Sequence, residues 1–423
     1  MSQQQPEVVV SPDGGYAPEF AVDVEGKPLD ETTKNDVIQL RVTMDIQNMT
    51  SFDVTFNNWD DRKLRFKYSE DEPGAEAFQL GRVVQIRLGY ADGLVPVVTG
   101  QIADLRPSFP ESGAPTIAIS GTDKMQKLKV RKARAGEQRY FPKMADWQIA
   151  KKIAARNNLQ VVVTESGPVH PMVVQKNQDD ASFLMERAKR IDFECYILTD
   201  SKSGKDTLHF ERPRDGRPND DAGGGDRQGQ RVRVYQLAYG PGLAAEEART
   251  GRGGGGGGGA SPLVPNLIEF TPTLTASDQV TTLTVRGWNP RTKEPIAFTA
   301  TASHLPGGTG AGSASGRGLT GPSAAKAAFG DRQETVIDAP VFSDEEARRL
   351  AIALLRERAY MFITGAGRIA GLAELRPSDN LEIHGIGRRF SGPYFVTRVE
   401  HTLGGGGFFT SFRVRRIEDW SKR

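Results

Sequence analysis

The 423-residue chain contains a single cysteine, Cys195, and this scarcity removes several classes of protein. One cysteine forms neither an intrachain disulfide nor a thiolate metal cage, so covalent or zinc cross-links do not hold the fold. Cys195 lies in the apolar, strand-like run FECYIL, which indicates a buried bystander rather than a reactive thiol. No apolar run is long enough to cross a bilayer, so we expect no membrane insertion.

The N-terminus lacks the basic start and apolar core of a signal peptide. We therefore expect a protein that is made and kept in the cytoplasm unless a larger machine carries it out. An excess of charge is missing as well: Lys and Arg number 55, Asp and Glu number 53, and the formal net charge is +2. This balance gives no global basic field, and we expect no recognition of nucleic acid.

The common nucleotide-binding and nucleophile motifs are also missing. The run GAGRIAG (Gly365–Gly371) has the wrong spacing for a dinucleotide loop and follows a predicted helix instead of a strand. Neither a phosphate-binding G-x-x-x-x-G-K-[ST] motif nor a G-x-S-x-G nucleophile elbow occurs. We expect no cofactor.

Titratable residues form no convincing catalytic or metal-binding set. No two of the five histidines have a metal-ligand spacing. Asp379, Glu382 and His384 are candidates for acid–base work. However, alternation places Glu382 and His384 opposite Leu381 and Ile383, on a strand face that we interpret as solvated. We therefore expect no metal, no catalytic residue and no enzymatic activity.

What the chain does have is two similar series of β-strand patterns, one towards each end. Residues 81–123 and 375–415 both read as strand, glycine corner, strand, long turn and strand. A period of two bounded by glycine and proline indicates strands with one buried face. We predict two similar antiparallel β-barrels, whose structural corners are Gly81, Gly89, Gly100, Gly385, Gly387 and Gly392.

Between the two series, the pattern changes to that of an α/β unit. Asp146 is placed to cap one helix, and Asp179 or Asp180 to cap a second. A capping box at Ser343 starts a further helix. The fold class is therefore mainly β with α+β character. The predicted divisions are an arm at 1–19, a first barrel at 20–135, an α/β domain at 136–245, a glycine-rich linker at 246–264, a second barrel with a capping helix at 265–302 and 334–423, and a low-complexity loop at 303–333.

Four segments together resemble a known family: residues 81–105, 175–197, 283–290 and 376–403. The chain is similar to the late control D protein family, the central baseplate hub of contractile phage tails. That family also includes the N-terminal portion of the VgrG spike proteins of type VI secretion. The four segments occur in the family's order and span most of the chain.

The resemblance implies a homotrimer in which two barrels per chain form a six-part ring. Such a ring adapts the six-fold inner tube to the three-fold spike, and the α/β unit contacts other baseplate components. The sequence ends at Arg423, whereas VgrG proteins continue into a spike, so we expect a separate spike protein as a partner. We expect assembly in the cytoplasm into a phage tail or a phage tail-like injection particle.

Two other classes are alternatives to the hub. A tail-tip cell-wall hydrolase or glycan-binding module needs a carboxylate pair across a groove or exposed aromatic side chains. The tryptophans are scattered and look structural: Trp59, Trp147, Trp288 and Trp420. A tube subunit is a single small barrel, whereas this chain is longer and carries two barrels.

Overall fold

A computed structural model describes residues 7–9, 17–69, 75–91, 93–130, 139–200, 203–213, 233–241, 266–305 and 319–419. The predicted linker at 246–264 and residues 306–318 of the predicted loop lie outside these ranges.

The secondary structure of the described residues is mostly strand. The strands of the first half are β1 (Glu7–Val9), β2 (Pro18–Val24), β3 (Lys27–Pro28), β4 (Val37–Asp45), β5 (Ser51–Asn57), β6 (Trp59–Asp60), β7 (Arg65–Phe66), β8 (Val83–Tyr90), β9 (Gly93–Ser108), β10 (Thr116–Asp123), β11 (Tyr140–Met144), β12 (Gln160–Val163), β13 (His170–Val174), β14 (Glu194–Thr199) and β15 (Asp206–Glu211). Those of the second half are β16 (Arg233–Ala238), β17 (Leu267–Leu274), β18 (Thr282–Asn289), β19 (Glu294–Thr301), β20 (Leu319–Thr320), β21 (Gln333–Val336), β22 (Ile363–Ala370), β23 (Asn380–His384), β24 (Gly392–Gly404), β25 (Gly407–Arg416) and β26 (Glu418–Asp419). The helices are α1 (Glu31–Asn35), α2 (Met125–Val130), α3 (Asp146–Arg156), α4 (Asp180–Arg190), α5 (Gly321–Phe329) and α6 (Asp344–Ala359).

A 14-stranded sheet contains both predicted β-series. Its main path is β1-β16-β23-β24-β4-β5-β10-β9-β8-β2-β3, and a branch adds β25, β22 and β17 beside β24. Most of the pairings are antiparallel, and β1-β16 and β16-β23 are parallel. The mainly β fold class is confirmed, while the trimeric ring stays a prediction.

Strand β24 joins the two β-series into one body. Its first residues pair with β23, and the rest pair with β4, from Arg398 opposite Asp45 to Gly404 opposite Gln39. Alternation then places Leu40, Val42 and Val399 in one shared hydrophobic core. The two β-series therefore share one hydrophobic core across the β4-β24 junction.

The α/β unit has a hydrophobic core of its own. Strands β12, β15 and β14 form a three-stranded sheet, and β11 and β13 form a two-stranded ribbon beside it. Helices α2, α3 and α4 bury side chains against them, including the stacked rings of Phe141 and Phe183. Asp179 caps α4, because its carboxylate accepts a hydrogen bond from Ser182 N at 2.7 Å.

Three predicted boundaries differ from the structure. Strand β16, assigned to the α/β domain at 136–245, pairs with β23 in the large sheet. Strands β18, β19 and β21 form a separate sheet, whose apolar face packs on α6 instead of joining a barrel. The predicted arm at 1–19 contains β1, which pairs with β16, and the first residues of β2.

Two further predictions are corrected by local chemistry. The predicted loop at 303–333 contains α5, because the run GPSAAKAAF has a proline near its start and alanine, the strongest helix former, throughout. Asp146 does not cap α3, since Ala145 holds the capping position and the Asp146 side chain is buried in an ion pair. No helix in the ranges described combines the length and the apolar character that a bilayer span requires.

Candidate functional surfaces

Four of the six predicted corner glycines have backbone conformations that favour glycine. Gly385 and Gly387 lie in the turn after β23 with φ of +77° and +81°. Gly81 precedes β8 with φ of +85°, and Gly392 starts β24 with φ of +120°. Side chains rarely adopt this half of conformational space, so these positions set the direction of the strands that follow.

The other two glycines lie inside strands and matter for a different reason. A Cβ on Gly89 would lie 2.1 Å from the carbonyl oxygen of Gly93. A Cβ on Gly100 would lie 2.5 Å from the carbonyl oxygen of Thr122. Gly89 therefore does not have the predicted corner conformation. Glycine fits there because two backbone segments approach each other closely.

The candidates for acid–base work, Asp379, Glu382 and His384, lie on and next to strand β23. Leu381 and Ile383 are buried, whereas Glu382 and His384 are partly exposed, with His384 Nε2 3.9 Å from Glu382 Oε1. Asp379 accepts a hydrogen bond from Arg376 N at 2.8 Å. No group of three or more metal-ligating side chains occurs within the part of the chain that the structure describes.

The structure places Cys195 and three of the four tryptophans. Cys195 is buried, and burial raises the pKa of its thiol to about 12. Trp59 is half-buried against the ring of Phe66, and Trp147 lies under Lys151 Nζ. Trp288 on β18 is 54% exposed, whereas Trp420 lies outside the described residues.

A cluster of four charged side chains attaches the α/β unit to α6, and we call it the His170 cluster. His170 on β13 lies 3.1 Å from Asp146 of α3 and 3.1 Å from Glu346 of α6. Arg187 of α4 donates to Asp146 at 2.6 Å. Each carboxylate therefore faces at least one cationic or hydrogen-bonding partner.

The electrostatics of the His170 cluster favour its charged form. Burial lowers the pKa of His170, but hydrogen bonds to Asp146 and Glu346 outweigh burial and raise it. Burial raises the pKa of Asp146, yet His170 and Arg187 hold it below its usual value. The hydrogen bond from His170 lowers the pKa of Glu346.

A second cluster lies at the other end of α6, and we call it the Asp192 cluster. Asp192, just after α4, lies 2.7 Å from Arg356 Nη1 and accepts a hydrogen bond from Tyr360 at 2.9 Å. Glu194 lies 2.7 Å from Arg415 of β25, and the Arg415 guanidinium lies 3.6 Å from the Tyr360 ring centroid. Sequence reasoning missed both clusters, because their members are scattered along the chain and have no recognisable spacing.

Comparison with known proteins agrees with a mainly β architecture. The sequence matches the family described as Alg8 N-terminal domain over residues 16–205 and 265–404, and the chain belongs to that family. No curated protein matches the sequence. Membership of the late control D family stays a prediction.

Three solved structures share the fold. The 43 kDa tail protein of prophage MuSo2 from Shewanella oneidensis has a TM-score of 0.62 at 15% identity, covering 95% of this chain and 99% of that one. A tail protein from Neisseria meningitidis MC58 has a TM-score of 0.60 at 14% identity, with coverages of 96% and 98%. The c3393 protein of E. coli has a TM-score of 0.52 at 11% identity, with coverages of 95% and 77%. That protein is a component of the type VI secretion system, similar in structure to the T4 tail proteins gp27 and gp5.

Proposed function

We propose that this chain is a structural hub of a contractile phage tail or a related injection particle, and that it works as a homotrimer. The observation that carries the proposal is the likeness of fold to two tail proteins over nearly the whole length of both chains. In this role the ring adapts a six-fold tube to a three-fold spike, and those components are its partners together with other baseplate proteins. The chain acts by assembly and not by turnover.

The joined sheet supports the ring. One subunit contributes two β-series, which the β4-β24 junction joins. Tyr90 of the first series donates to the carbonyl of Gly371 at 2.9 Å, and Arg376 of the second donates to that of Pro96 at 2.7 Å. These cross-bonds stiffen the junction, which a ring of fixed diameter requires.

Two strands of the sheet with unpaired edges supply surfaces for assembly. In the described residues, β17 pairs on one side only, with β22, and most of β2 pairs only with β8. Free edges accept strands from other chains. Head-to-tail contacts between unlike edges close into rings when the rotation per subunit is suitable.

The first test is the solution mass by light scattering on a sizing column. A mass near three times the 46.1 kDa of the chain is expected. Ile268 on β17 is 51% exposed, and Ile268→Lys should shift the mass towards that of the monomer. Ile337→Lys is the matched control, because Ile337 is 75% exposed beyond the small sheet. A monomer at all concentrations, alone and with co-expressed tube and spike proteins, would contradict the hub.

The same purified protein can be assayed for enzymatic activity on bacterial cell walls. We expect no release of fragments from purified bacterial cell walls. Reproducible release that a single Asp or Glu substitution abolishes would instead favour the hydrolase alternative.

A further inference from the structure

The β11-β13 ribbon has an apolar face that nothing in the described chain covers. Phe141 and Val173 point inwards and are buried. On the opposite face, Tyr140 lies directly across from Val174, and Pro142 from Met172. Tyr140, Met172 and Val174 are 47%, 53% and 49% exposed, and Pro142 is exposed as well. A half-buried ribbon normally carries polar residues outwards.

Strand β5 of the large sheet shows that contrast within the same chain. Its buried residues alternate with the polar side chains of Ser51, Asp53, Thr55 and Asn57. The ribbon instead places four apolar side chains together in two cross-strand pairs. Contiguous exposed apolar surface of this kind marks interaction sites.

The ribbon also has open edges. Within the described residues, β11 and β13 pair only with each other. An extended segment of another protein adds readily to such an edge, because its backbone completes the hydrogen bonds while alternate side chains reach the face.

Basic residues outnumber acidic ones in the segments that contain β11, α2 and α3. Residues 123–130 and 139–156 contain eight Lys and Arg against two Asp, although the whole chain has a net charge of only +2. Several of these cations are paired, such as Lys151 with Glu165 and Lys124 with Asp206. The exposed lysines that form no ion pair with a described residue are Lys127, Lys129, Lys143, Lys152 and, after β13, Lys176. Lys143 lies in β11 and Lys176 lies shortly after β13, whereas Lys152 Nζ lies 5.6 Å from the ring centroid of the inward-pointing Phe141, on the buried side of the ribbon.

We propose that this face binds an extended segment of a different protein, in which apolar side chains alternate with carboxylates. Charge complementarity selects the acidic partner. A second copy of this chain is disfavoured, because a two-fold contact would bring the same lysines together. Nucleic acid is disfavoured because Pro142, Met172 and Val174 offer its phosphates no hydrogen bond.

Fluorescence anisotropy with a short labelled peptide of alternating valine and glutamate tests the proposal. Binding is expected, and a peptide with lysine in place of glutamate should not bind. The double variant Met172→Ser, Val174→Ser should weaken binding by about tenfold or more, the equivalent of about 1.4 kcal/mol. Lys143→Glu with Lys176→Glu should also weaken it, and Ile337→Ser, an exposed apolar change elsewhere, should not. Circular dichroism checks that every variant is folded.

Hydrogen exchange adds a readout that simple charge attraction would not give. The amides of Tyr140–Met144 or His170–Val174 should exchange more slowly when the peptide is bound. Failure of the peptide to bind, or equal binding by the Met172 and Val174 variant, would overturn the proposal. Displacement of the peptide by single-stranded DNA, with no effect of the Met172 and Val174 substitutions on binding, would also overturn it. Self-association of the chain that those substitutions abolish would overturn it as well.

Discussion

His170 Nδ1 lies 3.1 Å from Glu346 Oε1, although the two residues are 176 positions apart in the chain. The contact ties β13 of the α/β unit to the first turn of α6. On the other side of the ring, Nε2 lies 3.1 Å from Asp146 Oδ2. Two neighbouring carboxylates favour the protonated form of an imidazole, so we expect the attachment of the α/β unit to depend on pH.

The first prediction concerns the stability that His170 adds. Its pKa is raised from the usual 6.5 in the folded chain, so its contribution is fully present below that value and is lost as pH rises through the raised pKa. The pKa values of Asp146 and Glu346 are lowered from 3.8 and 4.5, so their contributions are lost as pH falls below those values. The cluster therefore stabilises most between about pH 4.5 and 6.5.

Urea unfolding of wild type and His170→Gln at pH 5.5 and 8.5 measures this effect. The variant should lose about 1–3 kcal/mol at pH 5.5, as expected for hydrogen bonds to charged groups, and less at pH 8.5. His384→Gln is the control, since His384 is partly exposed on a strand. A loss for His170→Gln that is equal at both pH values would contradict the charged cluster.

The second prediction has the opposite sign of pH dependence. His401 is buried, accepts or donates one hydrogen bond with Thr410 at 2.9 Å, and burial lowers its pKa from 6.5 to about 3. Because the folded state holds this histidine neutral, stability is lost as pH falls from 6.5 towards 3, by up to about 1.4 kcal/mol per pH unit.

Replacing His401 with leucine should remove this part of the acid sensitivity. Unfolding free energies between pH 6.5 and 4.5 should fall less steeply in His401→Leu than in wild type. Thr410 keeps a partner in the variant, because its hydroxyl accepts from Leu372 N at 2.8 Å. Parallel pH curves for the two proteins would show that the fold does not lower the pKa of His401.

The third prediction addresses the Asp192 cluster at the other end of α6. Asp192 and Arg356 are nearly buried and 2.7 Å apart, so removing one partner leaves an uncompensated charge. Arg356→Met should cost about 3–5 kcal/mol of unfolding free energy, and Asp192→Asn added to it should cost little more. A double-mutant cycle gives the coupling energy. Additive losses would mean that the pair does not act as a unit.

Alternation and capping signals predicted the local structure of this chain well. Phe52, Val54 and Phe56 of β5 are buried as their period of two indicates, and Asp179 and Ser343 cap their helices. These features depend on neighbours within a few residues. Local sequence patterns were therefore enough to predict the mainly β fold class and the α/β unit.

Long-range pairing could not be predicted in the same way. The β4-β24 junction joins residues more than three hundred positions apart, and each strand alone has an ordinary alternating pattern. The His170 cluster draws on four elements with no shared spacing. Helix α5 was not predicted, because a run rich in Gly, Ser and Ala indicated a loop. The alanines of this run favour a helix instead.

The last prediction separates the two reasons for glycine in the β-series. Gly89→Ala should destabilise the chain by about 1–3 kcal/mol, because the new Cβ would overlap the Gly93 carbonyl at 2.1 Å. Gly93→Ala, across the same hairpin, meets nothing within 4 Å and is the matched control. At Gly385, where φ is +77°, asparagine should be tolerated better than valine, because asparagine adopts the left-handed region more readily. Thermal unfolding ranks all four variants, and equal losses at Gly89 and Gly93 would show that the hairpin relaxes to admit the side chain.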